Sequence, residues 1–278
     1  MSYCIVCDSC TDLTSEDIKR GCFAMVPLTI HVDGRDFIDD ETFDQQEFLE
    51  AVRNSSGELK SSCPAPEAYM EAYRKADDIY VVTLSANLSG SYNSAMLAAK
   101  LYEEEYGRKN IHVVDSCSAS SGQYLIAMKL EELAGSGMAF DEVVKEVESY
   151  RDSMETYFTL ETLEVLRRNG RLSKVQAVLA SALNIKPVMG ATPEGEIIKK
   201  AQSRGMKKAL TKMAELVGEE GKDLASKTAV IAHCNCLSRA REFEQMLLSK
   251  APFKKTKIID THGISSLYAC DGGIILSF

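Results

Sequence analysis

The sequence predicts an α/β protein with two domains, residues 1–155 and 156–278. In the first domain, short runs rich in Ile and Val alternate with helical patterns, which is typical of a mainly parallel sheet flanked by helices. In the second domain, a strong turn signal between two strand-like segments predicts an antiparallel hairpin. The length of 278 residues suits two domains or one large one, and the change of pattern near residue 155 favours two.

The predicted elements of the first domain follow a strand–helix order. The predicted strands are the apolar runs at residues 3–7, 79–84 and 111–114. The predicted helices are residues 15–20, 92–106, 123–133 and 140–154. A helix that joins two strands of one sheet normally leaves those strands parallel. We therefore expect one parallel sheet with helices on both faces.

The second domain is predicted to be α+β with a mainly antiparallel sheet. Its hairpin consists of strands at residues 184–190 and 196–201 around the turn Thr-Pro-Glu-Gly at 192–195. Its other predicted strands are residues 156–160, 227–232, 257–260 and 273–278. Its predicted helices are residues 161–168, 207–217 and 238–249.

Composition and charge exclude several classes of protein. The chain is 45% hydrophobic and 26% charged, as expected of a globular protein, and its formal net charge is -9. This acidity disfavours a nucleic-acid partner, because such proteins need a basic face to neutralise phosphates. The sequence has no apolar run of membrane-spanning length, so no membrane span is expected. It shows no signal-peptide pattern at its start, and we expect a cytoplasmic location.

The nine cysteines are predicted to be reduced thiols. Cys4, Cys7 and Cys10 have a spacing that could bind an iron–sulfur cluster, but a strand through residues 3–7 would point Cys4 and Cys7 to opposite faces. Small side chains packed near a strand end are the better interpretation. We expect neither a metal nor a cofactor.

Hydroxyl side chains follow each predicted parallel strand. The three segments are residues 8–12, 84–91 and 115–122, and the first two contain Ser9 and Ser89. Loops at the carboxyl ends of parallel strands form the ligand crevice of an open α/β sheet, and helix N-termini there favour anions. The three loops together would suit a carboxylate or a phosphate. The alternative is that the hydroxyls are ordinary helix N-caps.

Four further side chains are candidates for the same site. Ser61 and Ser62 precede a Pro-rich helix entry, where they could cap the helix or face the crevice. Arg171 lies in a basic cluster at residues 167–171, and its planar guanidinium suits a carboxylate or phosphate. The simpler interpretation of that cluster is a helix end capped by Gly170. Arg204, after the second hairpin strand, is another candidate.

The motifs, in their order along the chain, resemble those of the DegV family of bacterial lipid-binding proteins. The match spans residues 3 to about 275. The matching residues are Asp8-Ser9 with Asp12, Pro27-Leu28 with Asp33-Gly34, residues 61–66, 84–95, Asp115-Ser116, 170–173 and 183–187.

This resemblance implies a two-domain DegV-like fold with a long-chain fatty acid, such as palmitate, in a tunnel between the domains. It implies that the hydroxyls of Ser61 and Ser89 hold the carboxylate. Some members present the acid to a fatty acid kinase, and in those members the arginine matching Arg171 serves phosphotransfer. The arginine matching Arg204 lies near the partner or the site.

The chain departs from the family pattern at two places. Ser61 replaces a threonine, which keeps the hydroxyl, and residues 268–273 lack the histidine of kinase-linked members. The second departure concerns the kinase step and not lipid binding.

We therefore predict a fatty-acid-binding protein that is not itself an enzyme. The alternative is a small-molecule kinase or phosphotransferase that uses the serine-rich loops as a phosphate cradle. Against it, the sequence has no phosphate-binding P-loop motif, and Asp8 lacks a second acid two residues later, where Cys10 stands.

Overall fold

The computed structural model describes residues 2–55, 57–172 and 184–278. In chain order, the elements of the first half are β1 (Tyr3–Asp8), α1 (Ser15–Ile18), β2 (Phe23–Val26), β3 (Thr29–Val32), β4 (Arg35–Ile38), α2 (Gln45–Asn54), β5 (Leu59–Ser62), α3 (Pro66–Tyr73), β6 (Asp78–Thr83), α4 (Ser91–Tyr106), β7 (Asn110–Asp115), α5 (Ser121–Gly135) and α6 (Phe140–Asp152). Those of the second half are β8 (Thr156–Thr159), α7 (Glu164–Arg168), β9 (Ile185–Ala191), β10 (Ile197–Arg204), α8 (Met206–Glu220), β11 (Thr228–His233), α9 (Leu237–Leu248), β12 (Lys255–Asp260), α10 (Gly263–Ala269) and β13 (Ile274–Ser277).

The first half is built on a parallel sheet with the strand order β2-β1-β6-β7. Helices α3 and α4 contribute to the apolar cluster on one face, and α5 and α6 to the cluster on the other. Cys4 belongs to the first cluster and Cys7 to the second, so their side chains point to opposite faces of the sheet. The predicted parallel sheet, covered on both faces, is confirmed.

The second half is built on a six-stranded sheet with the order β10-β9-β8-β13-β11-β12. All neighbours are antiparallel except β11 and β12. The predicted hairpin is present, and in its turn Thr192 N–H donates to the Glu196 carbonyl at 2.8 Å. Helices α8 and α9 bury their apolar faces against this sheet. The predicted mainly antiparallel sheet is confirmed.

The sequence analysis missed a small antiparallel sheet with the order β4-β3-β5, the edge strand β2, and helices α2 and α10. The strands of the small sheet have four residues each, and in β4 only Phe37 is buried, so their apolar pattern is short and weak. Six of the seven residues of α10 are buried, so it shows no polar face from which a helical period could be recognised.

Two of the apolar clusters join the halves of the chain. In one, Ile5 and Cys7 pack with Val230 and Ile259, and in the other, segments from the small sheet and α2 pack with α7 and α10. The domain division at residue 155 therefore stays a prediction, since the core is continuous across it. Among the described helices, none combines the length and the apolar character that crossing a membrane requires.

Candidate functional site

The three hydroxyl-rich loops meet at the carboxyl edge of the parallel sheet. The Leu84 N–H donates to Asp8 Oδ2 at 2.8 Å, which joins the first loop to the second. The Ser85 N–H donates to the Ser118 carbonyl at 2.9 Å, which joins the second loop to the third. The convergence predicted from the sequence follows directly from parallel strands ending at one edge.

A narrow apolar cavity, which we call the tail cavity, lies between these loops and the sheet of the second half. It contains about 770 Å³ of empty space when its open mouth is counted, and most of this space is too narrow for a water molecule to move freely. Its apolar lining includes Leu84, Phe158, Leu160, Ile197, Ile264 and Ile275. Both halves of the chain therefore contribute to its walls, which are suited to an apolar ligand.

Arg171 and Tyr268 form the part of the tail-cavity wall that we call the head end, which carries a guanidinium and a hydroxyl. The Ser61 Oγ lies 2.9 Å from the Tyr268 Oη, and the Arg171 guanidinium lies 5.8 Å from the centre of the Tyr268 ring. Ser61 is half-buried on β5 and reaches the cavity through Tyr268.

Ser89 lies in the loop beside the head end. Its Oγ accepts the Ser91 N–H at 3.2 Å and lies 3.0 Å from the Ser91 Oγ. At Gly90, an added Cβ would lie 3.0 Å from the Cys63 Sγ, so this loop packs closely on the segment that follows β5. The close approach places the Ser61 and Ser89 segments side by side.

Arg171 follows the cap that ends α7, and it also lines the tail cavity. Gly170 has a φ of +77°, its N–H donates to the Arg167 carbonyl at 3.1 Å, and the Arg171 N–H donates to the Leu166 carbonyl at 2.9 Å. This is the double hydrogen bond of a glycine-terminated helix, so the predicted cap is confirmed. The Arg171 side chain meanwhile donates from Nε to the Leu88 carbonyl at 3.0 Å.

Of the six predicted site residues, only Arg171 is part of the lining of the tail cavity. Ser61 contacts the lining residue Tyr268, and Ser89 follows Leu88, which also lines the cavity. The other three lie elsewhere. Ser9 is buried and its Oγ accepts the Leu28 N–H at 3.1 Å. Ser62 is exposed, with its Oγ 3.2 Å from His31 Nε2. Arg204 is exposed at the end of β10. The structure thus places Ser61 and Ser89 next to residues of the lining and leaves Ser9, Ser62 and Arg204 elsewhere.

At the helices that follow these segments, a hydroxyl N-cap occurs before α1 but not before α3, α4 or α5. Thr14 precedes α1, and its Oγ1 accepts the Asp17 N–H at 3.2 Å in a capping box. Ala65 precedes α3, Gly90 precedes α4 and Ser120 precedes α5, and none of the three accepts a side-chain capping hydrogen bond. The Ser89 hydroxyl accepts the N–H of Ser91, the first residue of α4, and the Ser85 hydroxyl donates to the Gly195 carbonyl in the hairpin turn at 3.0 Å.

Comparison with known proteins identifies the family. The DegV family model matches residues 2–275. A DegV domain-containing protein of Streptococcus gordonii is 36% identical over 280 residues, covering 100% of this chain and 99% of the relative. The chain belongs to the DegV family.

Two solved DegV-type structures are similar over the whole chain. A DegV family protein of Ruminococcus gnavus with vaccenic acid is 49% identical, covers 100% of both chains and superposes with a TM-score of 0.97. The fatty acid kinase (Fak) B3 protein of Streptococcus pneumoniae, loaded with linoleic acid, is 32% identical, with a TM-score of 0.91 and coverage of 100% of this chain and 99% of the other. The DegV fold predicted from the motifs is confirmed.

The DegV motif residues Ser173 and Leu183 lie outside the described residues. Tyr268, in the segment without the family's histidine, was not recognised as a site residue. An aromatic residue in a short buried helix gives no signal of its own, and its partner Ser61 lies 207 residues away in sequence. Only the packing of α10 against β3 and α2 reveals it.

Buried carboxyl groups position α10 and therefore Tyr268. Asp39 accepts the N–H groups of Gly263 and Ile264 at 2.6 and 2.9 Å, and Asp12 accepts the His262 N–H at 2.7 Å. Burial raises the pKa of Asp12 to about 8 and also raises the pKa of Asp39. These acids connect the start of α10 to loops of the first half.

Asp8 is the third buried acid at this edge of the sheet. It accepts hydrogen bonds from Leu84 N–H and Gln123 Nε2, both at 2.8 Å, and burial raises its pKa to about 6. One oxygen thus holds the second loop and the other holds helix α5. Within the described parts of the chain, no three His, Cys, Asp or Glu side chains are grouped as metal ligands.

Proposed function

We propose that this DegV protein binds a long-chain fatty acid, such as palmitate, between its two predicted domains and is not itself an enzyme. The observation that carries the proposal is an apolar cavity whose head end presents hydroxyls and a guanidinium. The two similar DegV-type proteins with vaccenic and linoleic acid support it. The acyl tail occupies the tail cavity, and the carboxylate lies at the head end.

Burial of the tail provides most of the affinity. Each buried methylene contributes about 0.8 kcal/mol, so a sixteen-carbon acid gains roughly 10 kcal/mol before the cost of association. The narrow cavity suits an unbranched chain one methylene wide better than a bulky ring system. A site of this kind needs no catalytic acid or base.

Hydroxyl groups hold the carboxylate. Each hydroxyl has one hydrogen to donate and can also accept. When Ser61 donates to Tyr268, the Tyr268 hydrogen is directed to the carboxylate, and the adjacent Ser89 donates from the neighbouring loop. Tyr268 is our addition to the pair that the family resemblance implies.

The proposed partner is a fatty acid kinase, which phosphorylates the presented acid. The similarity to the Fak B3 protein of Streptococcus pneumoniae supports this partner. Arg171 serves the phosphoryl-transfer step rather than the resting carboxylate. Arg171 Nε donates to the Leu88 carbonyl at 3.0 Å, and Nη1 donates to the Asn169 carbonyl at 2.6 Å. These two bonds hold the positive charge of the guanidinium at the head end.

The direct test is to purify the protein from a bacterial host, extract it with organic solvent and identify the extracted compounds by mass spectrometry. We expect a stoichiometric long-chain fatty acid. Recovery of a nucleotide or sugar phosphate without lipid would instead support the small-molecule kinase or phosphotransferase, with the serine-rich loops as its phosphate cradle.

A further inference from the structure

A second cavity, which we call the charged groove, lies behind the tail cavity. About 530 Å³ of it is wide enough for water, and its lining includes Arg151, Lys200, Lys222 and Lys227. Three residues, Cys117, Thr156 and Ala191, line both cavities. We call these three residues the partition, because they separate a narrow apolar space from a wide hydrated one.

The head-end residues and the partition are different parts of the tail-cavity wall. Arg171 and Tyr268 line the tail cavity but not the charged groove. An acid whose carboxylate is bound beside them therefore has its methyl end in the remaining part of the cavity. The partition is the part of the wall beyond which the surroundings change from apolar to charged.

Hydrogen bonds hold the partition in place. Thr156 Oγ1 lies 2.7 Å from Ser118 Oγ and 3.0 Å from Ser277 Oγ. Ser277 Oγ in turn lies 2.9 Å from Ser121 Oγ. This chain of four hydroxyls links the first half of the protein to the second. Because the hydroxyls satisfy one another, Thr156 has a defined position and the partition acts as a wall.

We propose that the partition sets the maximum length of the acyl chain. This inference rests on the proposed fatty-acid function. A methylene that passes the partition enters a hydrated groove beside charged groups and loses its gain from burial. Such a methylene does not make the contribution of a buried methylene, which is about a fourfold increase in affinity. Acids up to the length of the tail cavity are therefore bound with increasing affinity, and affinity stops rising for longer acids. We call the chain length at which it stops rising the optimum.

The backbone conformation at Cys117 allows the partition to be tested by substitution. Its φ is +49°, in the left-handed region where glycine is favoured, so Cys117→Gly removes a wall side chain without straining the backbone. Ala191→Val adds bulk on the same wall from strand β9. Cys270→Gly is the matched control, since Cys270 also has a positive φ, +57°, and lines neither cavity.

The experiment measures affinity by calorimetry for saturated acids in two-carbon steps from myristate to behenate. We expect an optimum in the unmodified protein, a shift of at least one step to longer acids in Cys117→Gly, and a shift to shorter acids in Ala191→Val. Cys270→Gly should keep the original optimum.

Two other outcomes separate the proposals. If Cys117→Gly and Ala191→Val both bind fatty acids with an unchanged optimum, the partition does not set chain length, although lipid binding stands. If the unmodified protein binds no acid of the series, the proposed function fails and the partition inference fails with it. Because the two variants shift the optimum in opposite directions, poor folding of either one leaves the other decisive.

Discussion

The hydroxyls of Ser61 and Tyr268 lie 2.9 Å apart, although 207 residues separate them in sequence. Ser61 comes from the small sheet of the first half and Tyr268 from helix α10 of the second. Their contact joins the two halves at the head end of the tail cavity. It therefore provides a polar group where an apolar cavity needs one to bind a carboxylate.

Removal of the two serine hydroxyls should weaken fatty-acid binding. We expect Ser61→Ala combined with Ser89→Ala to fold normally and to lose affinity by roughly 1–3 kcal/mol for each hydroxyl, because the carboxylate loses hydrogen bonds in a dry site. Calorimetry with palmitate measures the loss. Ser62→Ala is the matched control, since Ser62 neighbours Ser61 on β5 but bonds to His31. Equal affinity in all three proteins would assign the serines to loop packing alone.

Tyr268→Phe should reveal whether the Ser61 and Tyr268 hydroxyls bind the carboxylate as one hydrogen-bonded pair. The variant keeps the ring beside Arg171 and removes the group that Ser61 contacts. We expect affinity for palmitate to fall about tenfold, and the double variant Tyr268→Phe with Ser61→Ala to lose little more, because the two groups serve one hydrogen-bonded path. Additive losses in this double-mutant cycle would mean that Ser61 and Tyr268 bind the carboxylate independently.

Arg171→Ala should separate lipid binding from phosphotransfer. We expect palmitate affinity within about threefold of the unmodified protein, since hydroxyls hold the carboxylate, and no acyl phosphate when the loaded protein is mixed with a fatty acid kinase and ATP. Arg168→Ala is the control from the same basic cluster, because Arg168 pairs with Glu164 on the surface. If the unmodified protein gives no acyl phosphate while it binds lipid, the kinase partnership is refuted and a lipid carrier remains.

Asp12→Asn should change how stability depends on pH. The pKa of Asp12 rises from 3.8 to about 8 in the folded protein because the carboxyl is buried. Ionisation of Asp12 therefore favours the unfolded chain, and its contribution to stability, complete below pH 3.8, is lost as the pH rises to about 8. Asparagine resembles the neutral carboxyl and tolerates the φ of +53° at this position.

The difference in unfolding free energy between Asp12→Asn and the unmodified protein should thus grow with pH in favour of the variant, and become constant above about pH 8. Urea titrations at a series of pH values measure it. Asp33→Asn is the matched control, an exposed aspartate that also has a positive φ, +48°. A difference that does not change with pH would show that Asp12 is ionised in the folded protein.

The sequence by itself determined the family, the parallel sheet, the hairpin and the loops that surround the ligand site. The strands around Val6, Val81 and Val113 are short apolar runs, and the serines follow them directly. These properties are local, since the period of apolar residues and the chemistry of a turn are encoded in neighbouring positions. Parallel strands end at one edge, so even the meeting of the three loops could be predicted.

Only the tertiary structure decided which candidate side chains share the site. Ser61 and Ser62 are neighbours in sequence, but successive residues of a strand point to opposite faces, and only Ser61 reaches Tyr268. The partition likewise joins Cys117, Thr156 and Ala191 from three separate segments. Contacts of this kind depend on how elements distant in sequence pack against each other, and no local pattern of residues records that packing.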